Sequence, residues 1–140
     1  MNILYTAEAL ATGEGRNGQV RTDDGKVDVT LSIPKEMGGS GVGTNPEQLF
    51  AAGYAACFHS ALRSVARASK ANVEDSAVGA KVGIGPNDAG GFGLAVTLEV
   101  SLPHLPLEEA RELAAKAHQV CPYSNATRGN IDVDVIVVED

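Results

Sequence analysis

The 140-residue chain has no tryptophan, and aromatic residues make up only 4% of it. Alanine and glycine are plentiful instead. A core of such small side chains fits closely packed helices better than a ligand cage of stacked rings. Basic residues are also scarce, with 11 Lys and Arg against 18 Asp and Glu and a formal net charge of -7. That balance argues against a general nucleic-acid binder and against a protein of anionic membrane surfaces, although a local basic site remains compatible with it. No apolar run reaches the about 18 residues of a membrane span. The N-terminus lacks a basic patch followed by an apolar stretch, so no targeting segment is expected and the expected location is cytoplasmic. Cysteine is limited to Cys57 and Cys121, 64 positions apart. Two cysteines make no disulfide scaffold and cannot alone supply a four-thiolate metal site. They leave three readings open: inert buried thiols, a redox pair, or one catalytic thiol.

What is present reads as one globular domain over residues 1–140, since hydrophobic residues reach 44% and the length allows a core without staples. Alternation predicts strands over 1–12, 19–22 and 27–33, with turns at Gly13 to Gly18 and at Asp23-Asp24-Gly25. The stretch 34–44, PKEMGGSGVGT, lacks the Gly-Lys-Ser/Thr ending of a phosphate loop and reads as a flexible loop over a pocket. Asn45-Pro46-Glu47 then opens a helix running to about residue 70. Asn45 caps the free amides, Pro46 suits the first helical position, and Glu47 suits the positive end of the dipole. The small, apolar first half of this helix predicts burial on most of its surface. Gly53 with Cys57, and Ala52 with Ala56, predict close approach of another helix. Strands are predicted over 76–85 and 92–102, an amphipathic helix over 107–119, and a last strand over 131–138. The order implies an α+β domain with an antiparallel-rich sheet and helices on one of its faces.

Burial mid-helix raises the pKa of a thiol such as Cys57, so catalysis there needs a compensating positive charge. Cys121 precedes Pro122 at a helix end. A new turn after it would set its sulfur near free amide hydrogens and favour a thiolate. A zinc site from both cysteines with His59 and His118 lacks the close cysteine-pair spacing of such sites. Read alone, Arg16 is a solvated turn residue and Glu47 a helix-start charge. Tyr123 either contacts a substrate or packs.

The segments NPEQLFAAGYAACF (45–58) and VCPYSNATRGN (120–130), with GEGRNG near the N-terminus, resemble signatures of the OsmC/Ohr superfamily. They match its organic hydroperoxide resistance branch most closely, and the resemblance covers essentially the whole chain. It implies the OsmC-like fold with a long buried central helix and a thiol peroxidase of organic hydroperoxides. By position it implies Cys57 as the peroxidatic cysteine and Cys121 as the resolving one. Arg16 would activate the thiolate, and Glu47 would hold Arg16. No bound cofactor is implied. The implied electron donor is a lipoyl dithiol, carried by lipoylated proteins or supplied as dihydrolipoamide. An apolar wall from Met37, Leu49, Phe50 and Tyr54 would favour alkyl or lipid hydroperoxides.

Glu47 and Cys57 lie ten positions apart on the predicted helix, about 15 Å along its axis. A short Glu–Arg–Cys chain inside one protomer is then strained. An antiparallel helix from a second copy would relieve it, so a homodimer with composite sites is expected. The resemblance likewise implies an intertwined dimer. Two rival functions use the same thiols, a redox sensor and a general osmotic-stress member of the superfamily. No DNA-binding helix pair or basic stripe supports a regulator, and the 120–130 segment favours the organic hydroperoxide branch.

Overall fold

The computed structural model describes residues 1–139 and divides them into two compact units, Met1–Leu49 and Phe50 onward. The N-terminal unit is a three-stranded antiparallel meander of β1 (Ala9–Thr12), β2 (Gln19–Thr22) and β3 (Asp28–Thr30). Its registers pair Leu10 with Arg21 and Val20 with Val29. The strand expected over 1–12 begins only at Ala9. Its partner β2 ends at Thr22, opposite Ala9; beyond it Glu8 only accepts a single bond from Asp23 N–H, and residues 1–7 join no strand. The strand expected to reach residue 33 stops at Thr30: Leu31 N–H still donates to the Gly18 carbonyl, but Leu31 also bridges to Thr44 and Ser32 bonds there instead.

Those bonds tie down the glycine-rich stretch read as a flexible loop. Ser32 N–H donates to the Thr44 carbonyl, and Thr44 N–H donates to that of Thr30. Gly43 N–H donates to Ser32 Oγ at 2.6 Å. A Cβ on Gly43 would lie 2.5 Å from the Thr30 carbonyl oxygen, so only glycine permits this approach.

The long helix α1 spans Pro46–Ser69. It starts as its sequence requires, with Asn45 Oδ1 accepting from Gln48 N–H at 2.8 Å. Its buried residues Tyr54, Phe58, Ala61, Leu62 and Ala66 form a stripe rather than an all-round surface. Ala52 and Ala56, on the opposite side, are exposed in the single chain.

The C-terminal unit holds the core. Strands β4 (Ala77–Pro86) and β5 (Phe92–Ser101) form an antiparallel hairpin, and β6 (Asp132–Val138) joins β5 in parallel. A parallel neighbour requires a crossover. It is made by α2 (Leu107–Val120) and α3 (Pro122–Thr127). The expected single sheet is thus two separate three-stranded sheets, β1-β2-β3 and β4-β5-β6. Alternation on β5 buries Val96, Leu98 and Val100. The 3.6-residue period of α2 buries Ala110, Leu113, Ala114 and Ala117. These pack with the α1 stripe and Cys121 in one apolar cluster. No helix among the described residues is long and apolar enough to cross a membrane.

Candidate active site

Each unit brings together one pair of the residues singled out from sequence. In the N-terminal unit, Arg16 sits in a 3-10 turn at Gly15–Asn17, held by Asn17 Oδ1 accepting from Ile33 N–H. Its guanidinium meets Glu47 in the first turn of α1. Nη1 donates to Oε2 at 3.0 Å, and Nη2 lies 2.8 Å from Oε1. This two-pronged geometry suits a planar guanidinium and a carboxylate. The Oε1 contact is an ion pair rather than a well-aligned hydrogen bond, and that oxygen is buried without a hydrogen-bond donor among the described residues. The bond from Glu47 raises the Arg16 pKa above its usual value, so the side chain is a permanent cation. Met37, at the end of a second 3-10 turn, and Leu49 are both exposed.

In the C-terminal unit, Cys57 on α1 is half-buried, and Cys121 between α2 and α3 is completely buried. Both are free thiols, with Sγ atoms 3.6 Å apart. The Cys-Pro step explains the placement. A residue before proline is pushed to extended backbone, and Cys121 has φ -64 and ψ 125. Pro122 then opens α3 where no N–H is needed.

Free amides were expected at Cys121 itself, but its side chain makes no cap hydrogen bond. The Tyr123 backbone amide instead bonds Cys57 and favours its thiolate. Within this unit burial outweighs that amide and pushes the Cys57 thiol up, and the neighbouring Cys121 thiol adds to the rise.

Sequence reasoning left Tyr123 undecided. Its ring packs on Gly53, where a Cβ would come within 3.0 Å of the tyrosine hydroxyl. Gly53 therefore admits α3 of the same chain. Tyr123 also meets Tyr54 and Phe50, with centroids 5.7 and 6.2 Å away.

Tyr54, expected in the apolar wall, is completely buried. Its hydroxyl bonds Ser124 Oγ at 2.9 Å and Thr127 Oγ1 at 3.2 Å, so it stands behind Phe50 rather than facing outward. Ser124 in turn meets His118 Nδ1 at 2.8 Å. This polar cluster escaped sequence reading. Its signal was the three-residue spacing of Ser124 and Thr127 directly after a buried cysteine. Burial, and then the nearby Arg128 charge, lower the His118 pKa. His59 bonds Ser76 Oγ. Among the described residues no group of three or more His, Cys, Asp and Glu is placed to hold a metal ion.

Two thiols at this distance need to close by only about 1.5 Å to reach a disulfide bond length. The half-buried thiol is the more open of the two to a reagent from solvent.

The family model for OsmC-like protein matches residues 38–136. An organic hydroperoxide resistance protein of Xanthomonas axonopodis pv. citri is 53% identical over 94% of this chain and 92% of its own length. The crystal structure of an organic hydroperoxide resistance protein from Elizabethkingia anophelis superposes with a TM-score of 0.95 at 52% identity, over 100% of both chains. That of OhrB from Bacillus subtilis gives a TM-score of 0.88 at 44% identity, over 97% of this chain and 100% of its own. The chain therefore belongs to the OsmC-like protein family, within its organic hydroperoxide resistance branch.

Proposed function

We propose that this protein is a cysteine peroxidase that reduces organic hydroperoxides to alcohols. The observation that carries this reading is the pair of free thiols 3.6 Å apart, one half-buried and one wholly buried. Relatives named organic hydroperoxide resistance proteins support the substrate class. In the reaction the Cys57 thiolate attacks the distal oxygen of ROOH and the O–O bond breaks. The departing alkoxide takes a proton to become ROH, and Cys57 becomes a sulfenic acid. The Cys121 sulfur then attacks Cys57, expels water and closes the disulfide. A dihydrolipoyl dithiol, free or on a lipoylated protein, reduces the disulfide by two exchanges and leaves as its own cyclic disulfide.

Burial pushes the Cys57 thiol up, so the reading needs a cation. Arg16, oriented by Glu47, is assigned that role and also stabilises the charge on the departing oxygen. Met37, Leu49 and Phe50 would face the alkyl group, with Tyr54 behind them, and would favour alkyl or lipid hydroperoxides over hydrogen peroxide. The two units would act as one domain over 1–140. A homodimer would cover the apolar side chains of Ile3, Leu4, Tyr5 and Leu10, which are exposed in the single chain. Free thiols suit the reducing cytoplasm.

The test is steady-state turnover with dihydrolipoamide as reductant and a panel of peroxides. Cumene hydroperoxide is expected to be used at least about tenfold more efficiently than hydrogen peroxide, the scale on which an apolar pocket discriminates. Equal use of both would remove the organic preference. Undiminished lipoyl-dependent activity in Cys57→Ser would remove the mechanism.

A further inference from the structure

We infer that His118, Ser124, Tyr54 and Thr127 form a directional hydrogen-bond chain that holds Cys121 within bonding range of Cys57. This rests on reading the two cysteines as a working pair. The chain joins the three elements that carry them. Tyr54 lies on α1, three residues before Cys57. His118 lies on α2, three residues before Cys121, and Ser124 lies on α3, three residues after it.

Proton counting sets its direction. The Thr127 hydroxyl donates to the Ser124 carbonyl at 3.2 Å. Having spent its one proton there, Thr127 Oγ1 accepts from the Tyr54 hydroxyl at 3.2 Å. The Tyr54 oxygen then accepts from the Ser124 hydroxyl at 2.9 Å. Ser124 Oγ is left to accept from His118 Nδ1 at 2.8 Å. All four bonds coexist only when Nδ1 carries the proton. Each hydroxyl then donates once and accepts once, so no proton of the chain is wasted.

Three of these side chains are sealed from solvent, Tyr54 and Ser124 completely and Thr127 almost so. Water cannot readily replace a lost partner there, and an orphaned buried hydroxyl is costly. Outside the chain, Arg128 donates to the His118 carbonyl and to Asn125 Oδ1, a second strap between α2 and α3. None of the four residues needs to touch a substrate. They are positioning residues for the closure step, and their removal should slow closure while sparing the first attack on Cys57.

Dithiobis(nitrobenzoate) separates those steps without any peroxide. The Cys57 thiolate attacks its disulfide, gives a Cys57–nitrobenzoate mixed disulfide and releases one coloured thiolate. The Cys121 thiolate then attacks the Cys57 sulfur, forms the Cys57–Cys121 bond and releases the second. The first phase depends on reagent concentration and the second does not. Cys121→Ser identifies the second phase by abolishing it. Ser124→Ala and the near-isosteric Tyr54→Phe are expected to slow the second phase about tenfold, the scale of one buried hydrogen bond, with the first phase within about twofold of the unsubstituted chain. A second phase of unchanged rate in Tyr54→Phe, or equal slowing of both phases, overturns the proposal. Because no hydroperoxide is used, a chain that closes normally here yet fails to reduce cumene hydroperoxide would refute the peroxidase reading and leave this one standing.

Discussion

The two units are built on different principles. The C-terminal unit is organised by burial. Tyr54, Phe58, Leu62, Leu98 and Val100 have no exposed surface, and the thiol pair is set into that packing. In the N-terminal unit Leu31 is the one large apolar side chain among the buried residues, while Ile3, Leu4, Tyr5, Leu10 and Val42 are exposed. Its shape comes from backbone bonds across tight turns and from the Arg16–Glu47 pair. A unit of this size has too little core to stand by its own burial. The lesson is a division of labour. Packing holds the two thiols, whereas hydrogen-bonded turns hold the charge that the proposed function assigns to activating one of them. Under the proposed homodimer, the exposed apolar side chains of the N-terminal unit are the ones a partner would cover.

The comparison breaks most sharply at the chemistry. Cys57→Ser is expected to lower hydroperoxide turnover by at least about a thousandfold, as loss of a nucleophile does, with unfolding unchanged. Next comes the charge pair. Arg16→Ala should cost about a hundredfold in kcat/KM, the scale of removing one preorganised electrostatic stabiliser. It should also raise the pH at which Cys57 is alkylated, because burial already pushes that thiol up. Arg16→Lys keeps a charge but loses the fork and should recover only part of the rate. An alkylation profile identical in Arg16→Ala would detach the N-terminal unit from the thiols. A third pair of variants weighs the units themselves. Leu98→Ala should lower the unfolding free energy by about 2–5 kcal/mol without touching self-association. Leu10→Lys should barely alter folding of the chain and should weaken the proposed homodimer, read by sedimentation. A dimer indifferent to Leu10→Lys and to Tyr5→Asp would move the interface elsewhere.

The same contrast explains what could be read in advance. The start of α1 was legible because its signals are local, a capping Asn45, Pro46 at the first turn and Glu47 beside it. The β4–β5 hairpin was legible because alternation and a turn-rich loop are local too. Residues 1–8 form no strand because an apolar alternating segment is one only when a partner strand exists, and past Thr22 only a single bond, from Asp23 N–H to Glu8, continues the pairing. The parallel pairing of β6 and the split into two sheets depend on where distant strands land, which period-two alternation does not encode. Among site residues, the 3.6 Å approach of Cys57 and Cys121 came from neither spacing nor composition; only the family resemblance anticipated the pair. Tyr54 illustrates the limit best. An aromatic ring on an apolar helix looks alike whether it faces a substrate or the core, and its buried hydroxyl partners lie 70 and 73 positions away.

The smallest expected effect sharpens the contrast from inside the C-terminal unit. His118 has a folded-state pKa below its ordinary value of 6.5, through burial and then the Arg128 charge. As the pH falls below about 6.5, the unfolded chain takes up a proton at this residue before the folded one does. The contribution of His118 is therefore fully present above that pH and is lost progressively as pH drops toward the lowered folded value. His118→Gln removes the titration, so its stability should vary less steeply below about pH 6.5 than that of the unsubstituted chain. Denaturant unfolding at matched pH values measures the difference in slope. Because the imidazole is only partly buried, screening by water keeps that difference small. Identical slopes would mean that the ring accepts its second proton as freely in the folded unit as in water. The sealed packing credited with holding the thiols would then stop short of the His118 ring.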